Sequence, residues 1–269
     1  MVGAFAGKIP LESFTKGSIL FAGPGEPLGA FVAAFVGIEL GSLISGKTKV
    51  EIIVTPVVTI LSGAAVGIIL SPPISQFMKW IGSLINYGVE AQPFLMGIIV
   101  SVLMGMALTL PISSAAIGIS LGLSGIAAGA AAVGCCAQMV GFAVMSFREN
   151  RWGGLVSQGI GTSMLQMSNI IRNPLIWLPP IFASAVLGPV STCIFKMVNN
   201  ATGSGMGTAG LVGQFMGYNA MTEAGVAPAI ALIEMAVMHF IAPALLCFIV
   251  CEGMRKLKLI KPGDLKLEV

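Results

Sequence analysis

The sequence predicts an all-α integral membrane protein: a polytopic helical bundle of about seven to nine crossings, with broken helices and candidate re-entrant hairpins. Three observations predict it. The 269 residues are 56% hydrophobic and only 9% charged, against about 25% charged for a soluble domain. Mean hydropathy is +0.96. The chain also carries 35 Gly and 16 Met, which suit helices that pack closely in lipid, where small residues let backbones approach. A soluble secreted protein is excluded, and a net charge of +3 is too small to argue for nucleic acid.

Charge-free runs set the elements. Ile52–Met78 spans 27 residues without a charge and Ala91–Phe147 spans 57. A spanning helix needs about 20 apolar residues, so the longer run crosses more than once. Trp152–Ile171, Asn173–Phe195 and Met197–Thr222 are further runs, and Ala227–Cys251 is broken only by Glu234 and His239. An earlier crossing fits Pro27–Ser45. Residues 1–251 form one membrane-embedded domain on this reading, and 252–269 form a basic cytoplasmic tail.

Breakers interrupt these runs at Pro56, Pro72–Pro73, Pro111, Pro174, Pro179–Pro180 and Pro189, and in glycine-rich Gly118–Gly134 and Gly203–Gly217. They fit kinks and close packing. They also fit discontinuous helices whose freed backbone groups line a substrate cavity. The density of breakers in Met197–Val226 points that segment towards a re-entrant or loop form. The basic clusters Lys47/Lys49, Arg148/Arg151 and Arg255, Lys256, Lys258, Lys261 and Lys266 belong in the cytoplasm by the positive-inside rule. Four crossings then separate Lys49 from Arg148, with Lys79–Glu90 outside.

An ionisable group inside lipid costs about 2.5 to 3.5 kcal/mol on insertion scales, so each calls for a reason. Glu26 lies between breakers in Gly23-Pro24-Gly25-Glu26-Pro27. It could accept hydrogen bonds from sugar hydroxyls, or sit in water on an interfacial loop. Glu39 reads as a cap or a snorkelling group near Lys47. Arg172, within Asn169-Ile170-Ile171-Arg172-Asn173-Pro174, makes a donor-rich break suited to polyol or phosphate recognition; a surface turn is the other reading. Ser113 and Ser114 follow Pro111, where they either satisfy freed carbonyls or face a ligand. Glu234 and His239 fall about 140° apart on a regular helix, which weakens a proton relay through both.

Gly203-Ser204-Gly205-Met206-Gly207 lacks the Gly-Lys-Ser/Thr ending of a phosphate loop. The five cysteines lie in apolar stretches without zinc-ligand spacing and read as small helix residues. No metal, cofactor or covalent catalytic set is expected.

Several strings, taken together, resemble the enzyme IIC membrane subunit of bacterial phosphotransferase-system sugar transporters. The subgroup is the one that includes the perfringolysin-regulator-like proteins. The strings are Gly82-Ser83-Leu84-Ile85-Asn86, Gln92-Pro93-Phe94-Leu95-Met96-Gly97-Ile98, Pro111–Ile117, Gly122–Ala130, and Asn169–Pro174 with Leu178-Pro179-Pro180. The likeness runs from about Gly17 to Gly217. Glu26-Pro27 is also similar to the Glu-Pro signature of glucose-type IIC subunits, although its flanks differ. Members of the group carry more apolar sequence ahead of the segment that begins here, so N-terminal helices are expected to be missing.

The resemblance implies a multi-pass protein of the bacterial cytoplasmic membrane, with its C-terminus cytoplasmic, that holds and passes a small carbohydrate. A cytosolic IIB protein, charged by IIA, donates the phosphoryl group, and the membrane subunit itself is non-catalytic. A homodimer is expected from the likeness alone. Glu26, Asn86, Gln92, Ser113, Ser114, Asn169, Arg172 and Asn173 are the expected sugar-binding residues, since amides both donate and accept. An ion-coupled secondary transporter and a membrane-bound sensor are the other functional classes the residues allow.

Overall fold

The computed structural model describes residues 27–47 and 50–267; Glu26 lies outside the described residues. The chain divides into two compact units, one of residues up to Ile81 with Ile119–Leu121, the other of Gly82–Gly118 and Gly122–Val269. Among the described residues there is no named strand, and an isolated bridge joins Gly125 to Asn199.

The first unit is built on helix α1 (Pro27–Ile44) and the first part of α2 (Glu51–Ala91). They approach through small side chains. A Cβ on Gly37 would sit 2.8 Å from the Thr59 carbonyl and 3.2 Å from the Gly63 Cα, a backbone proximity typical of small-residue contacts in lipid. Helix α2 continues past Pro56, Pro72 and Pro73, which membrane helices tolerate.

In the second unit α3 (Pro93–Thr109) opens with Pro at its first position, where the missing N–H costs nothing. It ends at extended Leu110, ahead of Pro111. The short α4 (Ser114–Leu121) leads to the central helix α5 (Gly125–Met145). Then come α6 (Phe147–Val156), a π-turn at Ser157–Gly161, a 3-10 turn at Ser163–Gln166 and α7 (Met167–Arg172). Helix α8 (Leu178–Pro189) runs into a π-turn at Val190–Phe195, followed by one-turn α9 (Ala201–Ser204), a 3-10 turn at Ala209–Leu211 and α10 (Val212–Glu223). Finally α11 (Pro228–Met235), a π-turn at Ala236–Ile241 and α12 (Ala242–Lys256) form one long rod.

Helix α5 is the axis of this unit, with 94% of its apolar window buried inside the protein. Its Ala- and Gly-rich sequence is the cause. Gly134 lies so close to the Ser101 carbonyl of α3 that any Cβ would overlap it. Helices α3 and α8 lie antiparallel beside α5: Thr192 Oγ1 donates to the Pro93 carbonyl at 2.7 Å, and Ser101 Oγ to the Ser184 carbonyl at 2.8 Å. Gly97 and Gly188 touch between these two bonds. At the far end of α5, Phe142 and Met145 pack with Ile170, Ile176, Cys247, Cys251 and Met254.

Four helical stretches among the described residues are long and apolar enough to span a membrane: Glu51–Leu70, Gly125–Met145, Pro174–Phe195 and Pro228–Lys256. Two shorter apolar helices, Gly29–Ile44 and Pro93–Thr109, accompany them. The chain is an all-α, multi-pass membrane bundle. Sequence led to an expectation of about seven to nine crossings. Among the described residues, other apolar segments of the second unit are broken into short helices and turns.

Candidate functional site at two opposed hairpins

Partners of α5 act as a ruler of depth. At its start the Gly125 carbonyl accepts from the Asn199 N–H at 3.1 Å, and Gly129 abuts the Met197 carbonyl. At its end the Met145 carbonyl accepts from Arg255 at 3.1 Å.

One hairpin enters from the Gly125 end. Asn199 stands at its mouth, while Ser204 and Gly207 reach Cys135: the Cys135 thiol donates to the Ser204 carbonyl at 3.6 Å. Thr208 Oγ1 goes deeper, to Met139 Sδ at 3.5 Å. The chain then reverses through Gly207, Gly210 and Leu211, all at positive φ; left-handed backbone is ordinary for Gly and costly for Leu. Helix α10 carries it back, so that Asn199 Nδ2 donates to the Gly213 carbonyl at 3.1 Å. Asn200 Oδ1 accepts from Gly203 N at 2.9 Å and caps the inbound turn. The segment that sequence pointed towards a re-entrant or loop form, Met197–Val226, runs in beside α5 and turns back.

A second hairpin enters from the opposite end. Gln158 Nε2 donates to Ser146 Oγ at 2.8 Å, just beyond the end of α5, and Gly159 faces Ala143. The turn at Gly161–Ser163 reaches Thr109, and α7 returns. Gln166 Nε2 donates back to Gln158 Oε1 at 2.9 Å, closing the hairpin on itself. The Ser157–Gly161 turn packs against Ala209–Leu211 of the first hairpin. The two reversals therefore meet beside Gln138 and Met139, near the middle of α5.

The chemistry at that depth is neutral and directional. Gln138 is fully buried; its Oε1 accepts from Trp177 Nε1 at 2.9 Å and from Thr109 Oγ1 at 3.2 Å. Thr109 and Ser163 hydroxyls lie 2.9 Å apart. Because the Thr109 hydrogen is committed to Gln138, Ser163 is the donor in that pair, which leaves Ser163 Oγ free to accept. Gln138 Nε2 is buried without a hydrogen-bond partner, and a buried unpaired amide donor costs about 1–3 kcal/mol. Around α5, Gln214 of the first hairpin places Nε2 at 3.4 Å from Cys136 Sγ and 3.1 Å from His239 Nδ1, with its buried Oε1 unpartnered. The π-turn at Ala236–Ile241 carries His239 into this contact.

The residues expected from sequence fall in three places. Asn86 is half-buried and brackets the turn before α5, donating to the Gly122 carbonyl at 3.3 Å and accepting from Ser124 N at 3.4 Å. Gln92 is exposed just ahead of α3 and makes no capping bond. Ser113 is exposed and accepts from Ala116 N at 3.2 Å, while buried Ser114 donates to the Gly205 carbonyl at 2.5 Å and braces the first hairpin. Arg172 is exposed at the base of the second hairpin. Asn169 and Asn173 hold the C-terminal segment there: Asn169 Nδ2 donates to the Lys266 carbonyl at 2.9 Å, and Asn173 Nδ2 to Asp264 Oδ2 at 2.7 Å. With 21 residues in α5, Asn86 and Asn169 are separated by about 30 Å at 1.5 Å per residue. They do not share one small site.

Thr109, Gln138, Ser163, Trp177 and Gln214 were not singled out by sequence. Gln138 had a signal, as the lone amide in an otherwise small and apolar Gly125–Met145. Nothing marked Ser163 out from the other serines.

Two opposed hairpins with polar side chains where their turns meet are the arrangement of a transporter core. The family described as "Phosphotransferase system, EIIC" matches residues 1–267. The chain belongs to that EIIC family. No curated protein and no solved structure gives a significant match. As an EIIC subunit the protein is the membrane-embedded, sugar-translocating part of a sugar phosphotransferase system and works with IIA and IIB proteins. Where the two hairpins meet, the groups on offer are directional hydrogen-bonding ones. Amides and hydroxyls on α5 and on both reversals supply them.

Proposed function

We propose that the sugar is held where the two hairpins meet, with Gln138 Nε2 donating to a sugar hydroxyl and Ser163 Oγ accepting from one. The single observation that carries this is the buried, unpartnered Nε2 of Gln138 beside the Ser163–Thr109 chain. A hydroxyl both donates and accepts, so it satisfies the two groups at once. Gln214 Oε1 on the first hairpin is a further acceptor at similar depth. Alternating access then follows from movement of one hairpin against the fixed α3–α5–α8 core, opening one end at a time. Of the residues expected from sequence, Ser114 takes the part of a brace for the first hairpin. Arg172 and Asn173 stand at the mouth of the second. Glu26 keeps its proposed acceptor role.

The reading extends to the bacterial cytoplasmic membrane, with the C-terminus in the cytosol. Its support is the run of Arg255, Lys256, Lys258, Lys261 and Lys266 after the long rod, at the end of the bundle where Arg148 pairs with Glu252. A homodimer is proposed on the family likeness.

The test is phosphoenolpyruvate-dependent uptake into vesicles supplied with the soluble phosphotransferase proteins. Ser163→Ala is expected to raise the sugar KM about tenfold, the loss of one hydrogen bond of about 1.4 kcal/mol. Gln138→Leu is expected to remove uptake. Unchanged KM in both variants would place the sugar elsewhere.

A further inference from the structure

The C-terminal segment is no free tail. Beyond α12 the chain turns back at Lys258, at positive φ, and buries Ile260 and Leu265 almost completely against Phe142, Met145, Ile170 and Ile176. Residues Lys261–Asp264 form a turn in which Asp264 Oδ2 accepts from Lys261 N at 2.8 Å. From there to Leu267 the backbone is clasped by side-chain amides. The Leu265 carbonyl accepts from Asn150 Nδ2 at 2.7 Å and from Gln166 Nε2 at 3.0 Å. The Lys266 carbonyl accepts from Asn169, and Leu267 N donates to Asn150 Oδ1 at 2.8 Å.

These amides are also the spine of the second hairpin. Gln166 is fully buried and Asn169 is 4% exposed. Asn169 Nδ2 donates to Gln166 Oε1 at 2.8 Å; Gln166 Nε2 donates to Gln158 Oε1, and Gln158 Nε2 to Ser146 Oγ. A continuous set of buried hydrogen bonds thus links the Leu265 and Lys266 carbonyls to both strands of the hairpin. Gln166 closes the 3-10 turn that begins at Ser163. Removing the segment would leave buried amide donors unpaired on the element that aims Ser163.

We propose that residues 257–267 are a strap that fixes the second hairpin in its inserted position, and that Gln166 and Asn169 are positioning residues acting through it on Ser163. For sugar transport the proposal rests on the placement of sugar between the hairpins; for hairpin position it does not. With the strap docked, the hairpin reversal seals against Thr109 and the first hairpin, and this end of the bundle is shut. With the strap released, Gln158, Gln166 and Asn169 need water, and the hairpin withdraws.

Full-length protein in membranes tests this, with Ser163→Cys as reporter in a Cys193→Ser background, since Cys193 is the exposed native thiol. A membrane-impermeant maleimide applied from the strap side reads the reversal directly. Gln166→Ala and Asn150→Ala are expected to raise the labelling rate of the reporter at least about tenfold. In chains that keep Ser163, they are expected to raise sugar KM several-fold while maximal uptake at normal abundance is retained. Lys256→Ala, on the exposed surface beside the strap, is expected to leave labelling and KM unchanged. If Gln166→Ala does not accumulate, Asn150→Ala decides alone, because it cuts two strap bonds and leaves the hairpin side chains intact. Labelling unchanged in the variants that insert overturns the strap. Faster labelling with KM unchanged keeps the strap and removes Ser163 from the sugar site.

Discussion

Helices α2 and α5 are both apolar enough to span a membrane, yet they live in different solvents. In the Glu51–Leu70 window of α2 11% is buried inside the protein, whereas in α5 the figure is 94%. The more apolar of the two is the one with fewer residues buried. Ile52, Ile60, Leu61 and Ile69 cover α2, with Ile52 91% exposed. Ala, Gly and Cys cover α5, and its largest buried side chains are Phe142 and Met139. Lipid accepts bulky aliphatic side chains as readily as a protein core does, so burial in a membrane brings little hydrophobic gain; close approach and hydrogen bonds decide which helix goes inside. Polar groups follow the same division. Glu51 accepts from Ser45 at an exposed helix start, while Gln138, Ser146 and the Arg255–Glu149 pair gather around α5.

The sharpest break of this comparison is Gly134→Val. Its side chain would overlap the Ser101 backbone of α3. Overpacking of this kind costs about 1–3 kcal/mol where side chains can shift, and more where backbone must. The expected outcome is loss of nearly all monodisperse protein on extraction into detergent, read by size-exclusion chromatography.

A smaller effect is expected where charge closes the end of α5. Arg255 and Glu149 meet at 2.9 Å with side chains only 12% and 10% exposed, and Arg255 also holds the Met145 carbonyl. Arg255→Met leaves the carboxylate without its partner, at a cost of about 3 kcal/mol. Thermal unfolding in detergent measures it. A double-mutant cycle with Glu149→Gln is expected to show that the two losses are strongly non-additive.

The smallest effect belongs to α2. Ile69→Ala, at a site 68% exposed, trades protein–lipid contact for lipid–lipid contact and is expected to shift stability by less than about 0.5 kcal/mol. A loss comparable to that at Gly134 would mean that this face of α2 is covered by protein, as in a second copy of the chain.

Some of the site was legible in the residues and some was not. The glycines in Met197–Val226 pointed to a re-entrant or loop form because Gly frees the backbone wherever it falls, and the positive φ of Gly207 and Gly210 is their consequence. Asn169 and Asn173 stood out as amides at a proline break. Their partners, the Lys266 carbonyl and the Asp264 carboxylate, lie over 90 residues away along the chain, and no local pattern encodes a bond of that range. Trp152–Ile171 read as one apolar run. It reverses at Gly161–Ser163 instead, because Gln158 and Gln166 bond each other across the hairpin.

Composition by itself determined the solvent: 9% charge over 269 residues cannot keep a globule wet, so the chain belongs in lipid as helices. Small-residue content likewise determined that some helices would touch backbone to backbone. Only the tertiary structure decided which helix was central, that two hairpins enter from opposite ends, and that Gln138 is left with a donor to offer. Those facts are set by pairings such as Thr109 with Ser163 and Leu265 with Gln166, whose geometry exists only once the chain has closed on itself.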